Sequence, residues 1–284
     1  MKTTYLMLGL ILSSFLFQGC NDDDNNHHSG NKIIDDAFAI KYPKATHIDW
    51  EKKGNYSVVD FRYNNKELEA WFDQNGIWHM TETDLAFNSL PETVISSFSS
   101  SEYKSWSIDD VDMVERKDME TIYVLEIEQN KQEYDLYYSP DGVLIKVIPD
   151  NDNNSNYLPN ALADAITSYI STHYPQARIV ETEKEKEMTE VDIIDGTIHR
   201  ELMFDSNGNW VHTKTRMQKT MIPQIVISAL EASEYASYTI DEVEYYETPL
   251  RNYYYFELDS NSKEVELIIT TEGMIEVVKV ENDR

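Results

Sequence analysis

The sequence contains a single cysteine, Cys20, among its 284 residues. One thiol cannot form a disulfide within the chain, so no disulfide framework holds this fold together. Basic residues are also scarce, since 24 Lys and Arg stand against 52 Asp and Glu and give a formal net charge of −28. This balance argues against nucleic acid as a partner, because phosphate binding needs clustered positive charge. It equally disfavours docking of the protein surface on anionic lipid.

The chain also lacks the short motifs of common active sites. It has no H-E-x-x-H zinc motif, no G-x-S-x-G nucleophile elbow, no phosphate loop and no dinucleotide fingerprint. Asp60 and Asp192 lie in strand patterns at equivalent places of a repeat, which favours a structural role on a solvent-facing strand position. We therefore predict a protein that is not an enzyme, with no catalytic residue, no metal centre and no cofactor.

The first twenty residues have the layout of an export signal. Lys2 supplies a positive charge, residues 5–17 are almost entirely apolar, and Gly19 and Cys20 follow. The apolar run is shorter than the roughly 20 residues that a membrane-spanning helix needs. The Leu-Phe-Gln-Gly-Cys stretch at residues 16–20 resembles a bacterial lipobox. The resemblance implies cleavage between Gly19 and Cys20 and lipid attachment to the Cys20 thiol.

The ten residues after Cys20 are polar or glycine and include three consecutive aspartates. Such a composition predicts a flexible, solvated tether over residues 20–30, after a signal peptide over residues 1–19. An acidic run behind the cysteine resembles the surface-export signal of Bacteroidota lipoproteins. We expect an outer-membrane lipoprotein of the bacterial envelope, periplasmic or surface-exposed, that contacts the membrane only through its lipid.

The remainder of the chain repeats itself. The YPKA sequence at residues 42–45 matches YPQA at residues 174–177, 132 positions later, and the same offset relates many further pairs. An ungapped match over roughly 70 residues indicates a tandem duplication. It predicts one domain over residues 31–149, a polar linker over 150–157 and a second domain over 158–281.

Each copy shows a helix followed by strands, twice in succession. Ile34 and Phe38 lie at helical spacing before Pro43, and Pro91 opens a second helix. Residues 56–63 and 67–72 are rich in β-branched and aromatic residues and partly alternate with polar ones, which indicates strands. The chain is thus predicted to be α+β, a helix plus antiparallel β-meander repeated four times, with each helix covering one face of its sheet.

Two motifs carry a resemblance to a known family. They are a YPxA helix end and an FDxNG turn, at residues 42–45, 72–76, 174–177 and 204–208. Together with Trp50, which Thr182 replaces in the second copy, they resemble the PepSY-like family of Bacteroidota envelope proteins. The fold of that family is similar to the β-lactamase inhibitory protein fold. The resemblance covers nearly all of residues 31–281 and implies a binding module rather than a catalyst.

The FDxNG turns are also similar to the start of an EF-hand loop. Such a loop needs a carboxylate at its twelfth position, which is Asp84 when counted from Asp73 and Arg216 when counted from Asp205. The second copy fails this requirement, so we predict that both segments are tight hairpin turns. The acidic surface still leaves room for weak Ca²⁺ binding elsewhere.

Aromatic side chains are the candidates for a binding surface. The chain has 19 tyrosines and 5 tryptophans, and we single out Trp71, Trp78, Trp210, Tyr253 and Tyr255. The first hypothesis is a non-catalytic protein whose doubled sheet surfaces capture a protein or peptide, of basic character, in an inhibitory or regulatory role.

The second hypothesis is a carbohydrate-associated accessory lipoprotein that stacks a glycan on the three tryptophans. A hydrolase ranks third, because it would need a cleft with several perturbed titratable groups. The sequence leaves open the partner's identity, the oligomeric state and whether the two domains share one binding site.

Overall fold

A computed structural model of the chain describes residues 28–149, 157–158, 160–260 and 263–282. These residues contain four α-helices and sixteen β-strands. The helices are α1 (Lys32–Lys41), α2 (Glu92–Ser100), α3 (Asp164–His173) and α4 (Gln224–Glu231). In the described part of the chain, no helix is long and apolar enough to cross a membrane.

The strands form two antiparallel sheets of eight strands each, and every strand pairs with its neighbours in sequence. The first sheet contains β1 (Thr46–Lys53), β2 (Tyr56–Tyr63), β3 (Lys66–Asp73), β4 (Trp78–Asp84), β5 (Ser107–Arg116), β6 (Ile122–Gln129), β7 (Gln132–Tyr138) and β8 (Leu144–Pro149). The second contains β9 (Arg178–Glu185), β10 (Met188–Asp195), β11 (Ile198–Phe204), β12 (Trp210–Arg216), β13 (Thr239–Glu247), β14 (Tyr253–Ser260), β15 (Lys263–Thr270) and β16 (Ile275–Asn282).

We call residues 32–149 the first module and residues 164–282 the second module. Each module is a helix, four strands, a second helix and four more strands. This confirms the predicted α+β class and the helix-plus-meander unit that occurs four times. The domain boundaries proposed from the sequence stay predictions, since most of the linker lies outside the described residues.

Each helix packs on one face of its sheet through two buried residues four positions apart. The pairs are Ile34 and Phe38, Val94 and Phe98, Ile166 and Ile170, and Val226 and Leu230. This spacing places both side chains on the same side of a helix, over the apolar residues of the sheet beneath. We call the covered side of each sheet its helix face and the opposite side its open face.

The FDxNG segments are tight hairpin turns, as predicted. The Oδ1 atom of Asp73 accepts hydrogen bonds from the backbone N–H groups of Asn75 (2.8 Å) and Ile77 (2.9 Å). Gly76 adopts a φ of +74°, a conformation that favours glycine. The turn at Asp205 forms the same backbone bonds. One oxygen of each aspartate is thus engaged by its own turn.

Candidate functional site

The second module covers part of the open face of the first sheet. Trp71 is only 2% exposed and packs in one cluster with Val58 and Met80 of its own sheet and with Val180 and Ile194 of the second module. A ligand cannot reach a ring that is enclosed in this way. The structure therefore corrects the expectation that Trp71 contributes to a binding surface.

A buried ion pair joins the two modules at this contact. Arg116 Nη1 donates to Glu181 Oε2 at 3.0 Å, and the two side chains are 0% and 2% exposed. Arg116 Nη2 donates to the backbone carbonyl of Val180. Lys146 Nζ lies 3.5 Å from the same Glu181 carboxylate and 2.7 Å from that of Glu183. Each buried charge thus has an oppositely charged neighbour, as burial requires.

Three further contacts hold the edge strand β9 and the linker against the first module. The backbone N–H of Glu120 donates to the Ile179 carbonyl at 2.9 Å. Arg178 forms an ion pair with Asp141 in the turn between β7 and β8. The buried ring of Tyr157, just before the second module, packs against the open face of the first sheet. The two open faces are therefore not equivalent, since a large part of the first is an internal contact.

Trp78 and Trp210 pack on the helix sides of their sheets. Lys41 Nζ lies 3.6 Å from the centroid of the Trp78 ring, and the Trp210 ring stacks on Tyr169 with an interplanar angle of 16°. Both indole N–H groups donate to threonine hydroxyls. One face of each indole is thus covered by the protein itself, and the two rings belong to different sheets. This placement does not give the shared platform that glycan stacking on tryptophans would need.

Tyr253 and Tyr255 lie on the open face of the second sheet. Cross-strand pairing brings them next to Tyr246 of β13, and we call these three residues the tyrosine strip. The rings of Tyr246 and Tyr253 are stacked with centroids 5.1 Å apart, and those of Tyr246 and Tyr255 are 6.2 Å apart at 64°. All three side chains are half-buried. The structure thus brings the two predicted tyrosines together, with a third, but not with the tryptophans.

Ion pairs surround the tyrosine strip on one side. Lys214 of β12 contacts the carboxylates of Glu201 and, at 3.4 Å, Glu244. Arg216 Nε lies 2.8 Å from Glu242 Oε1. These two basic residues partly neutralise the acids of β11 and β13.

Acidic residues surround the strip on its other side. Glu257 lies directly opposite Glu242 on β13 and opposite Glu266 on β15. Burial and the neighbouring Glu242 and Glu266 carboxylates raise the pKa of Glu257, although the residue is exposed. Like charges in cross-strand pairs destabilise a sheet. Arg216 already contacts Glu242, and Lys279 Nζ lies 3.3 Å from Glu266 Oε1. Among the described residues, Glu257 is therefore the member of this row that has no ion pair, and it is suited to a positively charged group from outside.

The open face of the first sheet also places carboxylates opposite one another. Asp60 pairs with Glu69 and Glu69 with Glu82, while Asp84 pairs with Asp112. Burial and the nearby Glu69 carboxylate raise the pKa of Asp60 to about 6. Burial, together with the surrounding carboxylates, raises the pKa of Glu82 to about 8 and that of Asp112 to about 9. The neighbours that most perturb these groups are other acids, an arrangement that attracts cations.

Three groups of carboxylates have oxygen atoms within 4.8 Å of one another. They are Glu51, Asp60 and Glu69; Asp84, Asp110 and Asp112; and Glu190, Asp192 and Glu201. Lys53 contacts Glu51 and Glu69 in the first group, and His199 Nε2 lies 3.1 Å from Asp192 in the third. Among the residues that the structure describes, no Lys, Arg or His forms an ion pair with the second group. We call Asp84, Asp110 and Asp112 the aspartate triad.

Asp192 differs from its sequence-based prediction. It is buried and contacts His199, whereas its counterpart Asp60 is exposed. The solvent-facing position expected for both is therefore wrong for Asp192. Strand β10 lies next to the module contact, which encloses this end of its open side.

Neither the aspartate triad nor the ion pair between the modules forms a motif in the sequence. The triad combines residues of two strands, β4 and β5, and Arg116 and Glu181 are 65 positions apart. One sign of the triad was available in the sequence, because the position equivalent to Asp84 in the second copy of the repeat is Arg216. The signal peptide, Gly19, Cys20 and most of the tether lie outside the described residues, so lipid attachment stays a prediction.

The chain matches the model of one protein family over most of its length. The family model described as "Putative beta-lactamase-inhibitor-like, PepSY-like" matches residues 54–146, 152–198 and 187–276. No curated protein matches the chain.

Among solved structures, a BLIP-like protein from Bacteroides fragilis is 40% identical, with 44% of this chain and 90% of that chain covered and a TM-score of 0.42. A DUF2874 family protein from Bacteroides ovatus is 33% identical, with coverages of 43% and 88% and a TM-score of 0.41. A protein from Bacteroides eggerthii described as periplasmic is 22% identical, with coverages of 43% and 91% and a TM-score of 0.41. On the family match, which extends over both modules, the chain belongs to the PepSY-like, β-lactamase-inhibitor-like family.

Proposed function

We propose that this chain is a non-catalytic lipoprotein of the bacterial envelope that binds a protein or peptide on the open face of its second sheet. The observation that carries the proposal is the tyrosine strip, three half-buried rings beside the acidic row of Glu242, Glu257 and Glu266. Membership of a β-lactamase-inhibitor-like family supports a binding role. The periplasmic description of a similar protein supports the envelope location, and attachment through Cys20 rests on the lipobox resemblance.

The chemistry of this face favours a basic partner. Tyrosine rings offer large contact area with little loss of side-chain freedom, and they attract cations over their faces. Glu257 supplies the complementary charge for a Lys or Arg side chain of the partner, because Glu242 and Glu266 already pair with basic residues of the chain. Such a side chain can pack its apolar stem along the rings while its charged end reaches Glu257.

One partner per chain is the expected stoichiometry. Val180 and Ile194 of the second module already pack on the open face of the first sheet, around Trp71. The second sheet has its helices on the opposite side, against residues such as Phe256 and Leu267. The tyrosine strip, on the open face of the second sheet, is therefore an aromatic surface that stays accessible to a partner.

The test is affinity capture from envelope extract with the full chain as bait, in parallel with two charge-reversal variants. Glu257→Lys should lower the affinity for the captured partner about 3- to 10-fold at low salt, because it removes and reverses a charge beside the strip. Glu234→Lys makes the same change of net charge near the end of α4, on an exposed site away from the strip, and should change the affinity less than about 2-fold.

A second variant tests the aromatic contribution. Tyr255→Ala should weaken binding of the same partner by about 10-fold or more if its ring lies in the centre of the contact. Equal losses for Glu257→Lys and Glu234→Lys would mean that only the overall charge matters. Unchanged capture by Tyr255→Ala and Glu257→Lys together would contradict binding at this face.

A further inference from the structure

We propose that the aspartate triad, Asp84, Asp110 and Asp112, binds a divalent cation of the Ca²⁺ class. The site lies on the first sheet, where the end of β4 meets the beginning of β5. It is separate from the tyrosine strip of the second sheet, so this inference does not depend on the proposed partner.

The geometry of the triad fits one hard cation. One carboxylate oxygen from each of the three residues lies within 4.8 Å of the other two. Two oxygens that bind the same Ca²⁺ at about 2.4 Å cannot be more than about 4.8 Å apart. Asp84 and Asp110 are exposed, so water can complete the coordination. An all-oxygen set without His or Cys favours Ca²⁺ or Mg²⁺ over Zn²⁺.

The buried member of the triad points to a ligand. Asp112 is only 5% exposed, and no described residue donates a hydrogen bond or forms an ion pair to its carboxylate. Its oxygen instead faces the carboxylates of Asp84 and Asp110. A buried carboxylate without a donor is costly, and the cost is removed by a proton or by a bound cation. The exposed pair beside it opens a path for a cation from solution.

The second module supplies an internal comparison. The residues 132 positions later are Arg216, Glu242 and Glu244, and Arg216 pairs with Glu244 in the same register as Asp84 with Asp112. Arg216 Nε lies 2.8 Å from Glu242 Oε1. A guanidinium thus provides positive charge at this place in the second module. In the first module the same position holds a third acid.

The other two carboxylate groups contain basic residues of their own. Lys53 Nζ lies 2.8 Å from Glu51 and 2.9 Å from Glu69, and His199 contacts Asp192. The aspartate triad differs from both in having no such residue among those described. All three carboxylate groups lie on the open faces of the sheets, and they differ in whether a basic residue lies beside them. The aspartate triad is therefore the group that a cation from solution would complete.

Calorimetric titration of the full chain with CaCl2, after removal of divalent ions with EGTA, tests the site. We expect a dissociation constant on the order of 10⁻⁴ to 10⁻³ M, the range of extracellular Ca²⁺ modules. Saturating Ca²⁺ should also raise the midpoint of thermal unfolding. Asp84→Arg, which copies the second module, should weaken Ca²⁺ binding at least about 10-fold and retain a cooperative melt in EGTA.

Two more variants make the result specific. Asp112→Asn should weaken Ca²⁺ binding by a similar factor without adding a positive charge. Asp60→Asn, in the carboxylate group that contains Lys53, should leave the dissociation constant within about 2-fold of the wild-type value. The proposal is overturned if the wild-type chain shows neither heat nor a melting shift up to about 10 mM Ca²⁺. It is also overturned if Asp60→Asn weakens binding as much as Asp84→Arg, since the effect would then be diffuse surface charge.

Discussion

Removing Glu181 should weaken the contact between the two modules more than removing Arg116. Loss of one member of a buried ion pair typically costs about 3–5 kcal/mol, because the other charge stays buried without compensation. In Glu181→Leu, the Val180 carbonyl is the one acceptor that Arg116 keeps among the described residues. In Arg116→Met, Glu181 still has Lys146 Nζ at 3.5 Å. We therefore expect the free energy of unfolding to fall by about 3–5 kcal/mol in Glu181→Leu and by about 1–3 kcal/mol in Arg116→Met.

The double variant separates the ion pair from general damage to the packing. Arg116→Met with Glu181→Leu leaves neither charge buried, so its cost should fall below the sum of the single costs by about 2 kcal/mol or more. Urea unfolding of the full chain gives the three free energies, and a decoupled contact should split one transition into two. Arg62→Met is the control, because its partner Glu67 is exposed and such pairs contribute about 0–1 kcal/mol.

Two results would refute this reasoning. Single costs that add within about 0.5 kcal/mol would show that Arg116 and Glu181 are not energetically coupled. A larger loss for Arg116→Met than for Glu181→Leu would show that Lys146 does not compensate the Glu181 charge. Either outcome would show that the charges of Arg116, Glu181 and Lys146 do not stabilise the contact between the modules in the way described.

Three further predictions concern a turn, a titrating group and the N-terminus. Gly142→Ala should lower the midpoint of thermal unfolding by several degrees more than Gly54→Ala. A Cβ at Gly142 would lie 2.4 Å from the Thr93 carbonyl oxygen, whereas a Cβ at Gly54 would meet nothing within 4 Å. Equal losses for the two variants would contradict this reasoning. Burial and neighbouring carboxylates raise the pKa of Glu190 to about 7, so this group contributes stability at low pH that is lost as the pH rises from about 4.5 through 7. Glu190→Gln should accordingly flatten the fall of the melting midpoint between about pH 5 and 8 without changing it near pH 4, and an unchanged slope would argue against the shift. Cys20→Ala should leave an unprocessed chain that incorporates no labelled fatty acid, and normal labelling would rule out Cys20 as the lipid site.

The fold was predictable because its local signals agree with one another. Ile34 and Phe38 show helical spacing, residues 56–63 show strand composition, and Gly76 lies where the backbone takes a positive φ. Each of these features depends on a few neighbouring residues, which a single sequence displays. The repeat then transferred the assignments from one module to the other.

The contact between modules and the aspartate triad were not predictable in the same way. Trp71 looks like an exposed strand residue in the sequence, and its burial depends on Val180 and Ile194 of the other module. Asp84 and Asp112 become neighbours only through the register of β4 with β5. Pairings of this kind join residues of different strands, and the one sign of them in the sequence is the change from Asp84 to Arg216 between the repeats.

The sheet order has a consequence for how the chain folds. Every strand from β1 to β8, and again from β9 to β16, pairs with the strand next to it in sequence. Except for β4–β5 and β12–β13, whose connections contain α2 and α4, each pairing is a hairpin with a short loop. The loop-closure entropy is therefore small compared with that of a Greek-key sheet. Arg116 and Glu181, 65 positions apart, close a much longer loop. We expect each module to form hairpin by hairpin, and the contact between the modules to be the last step.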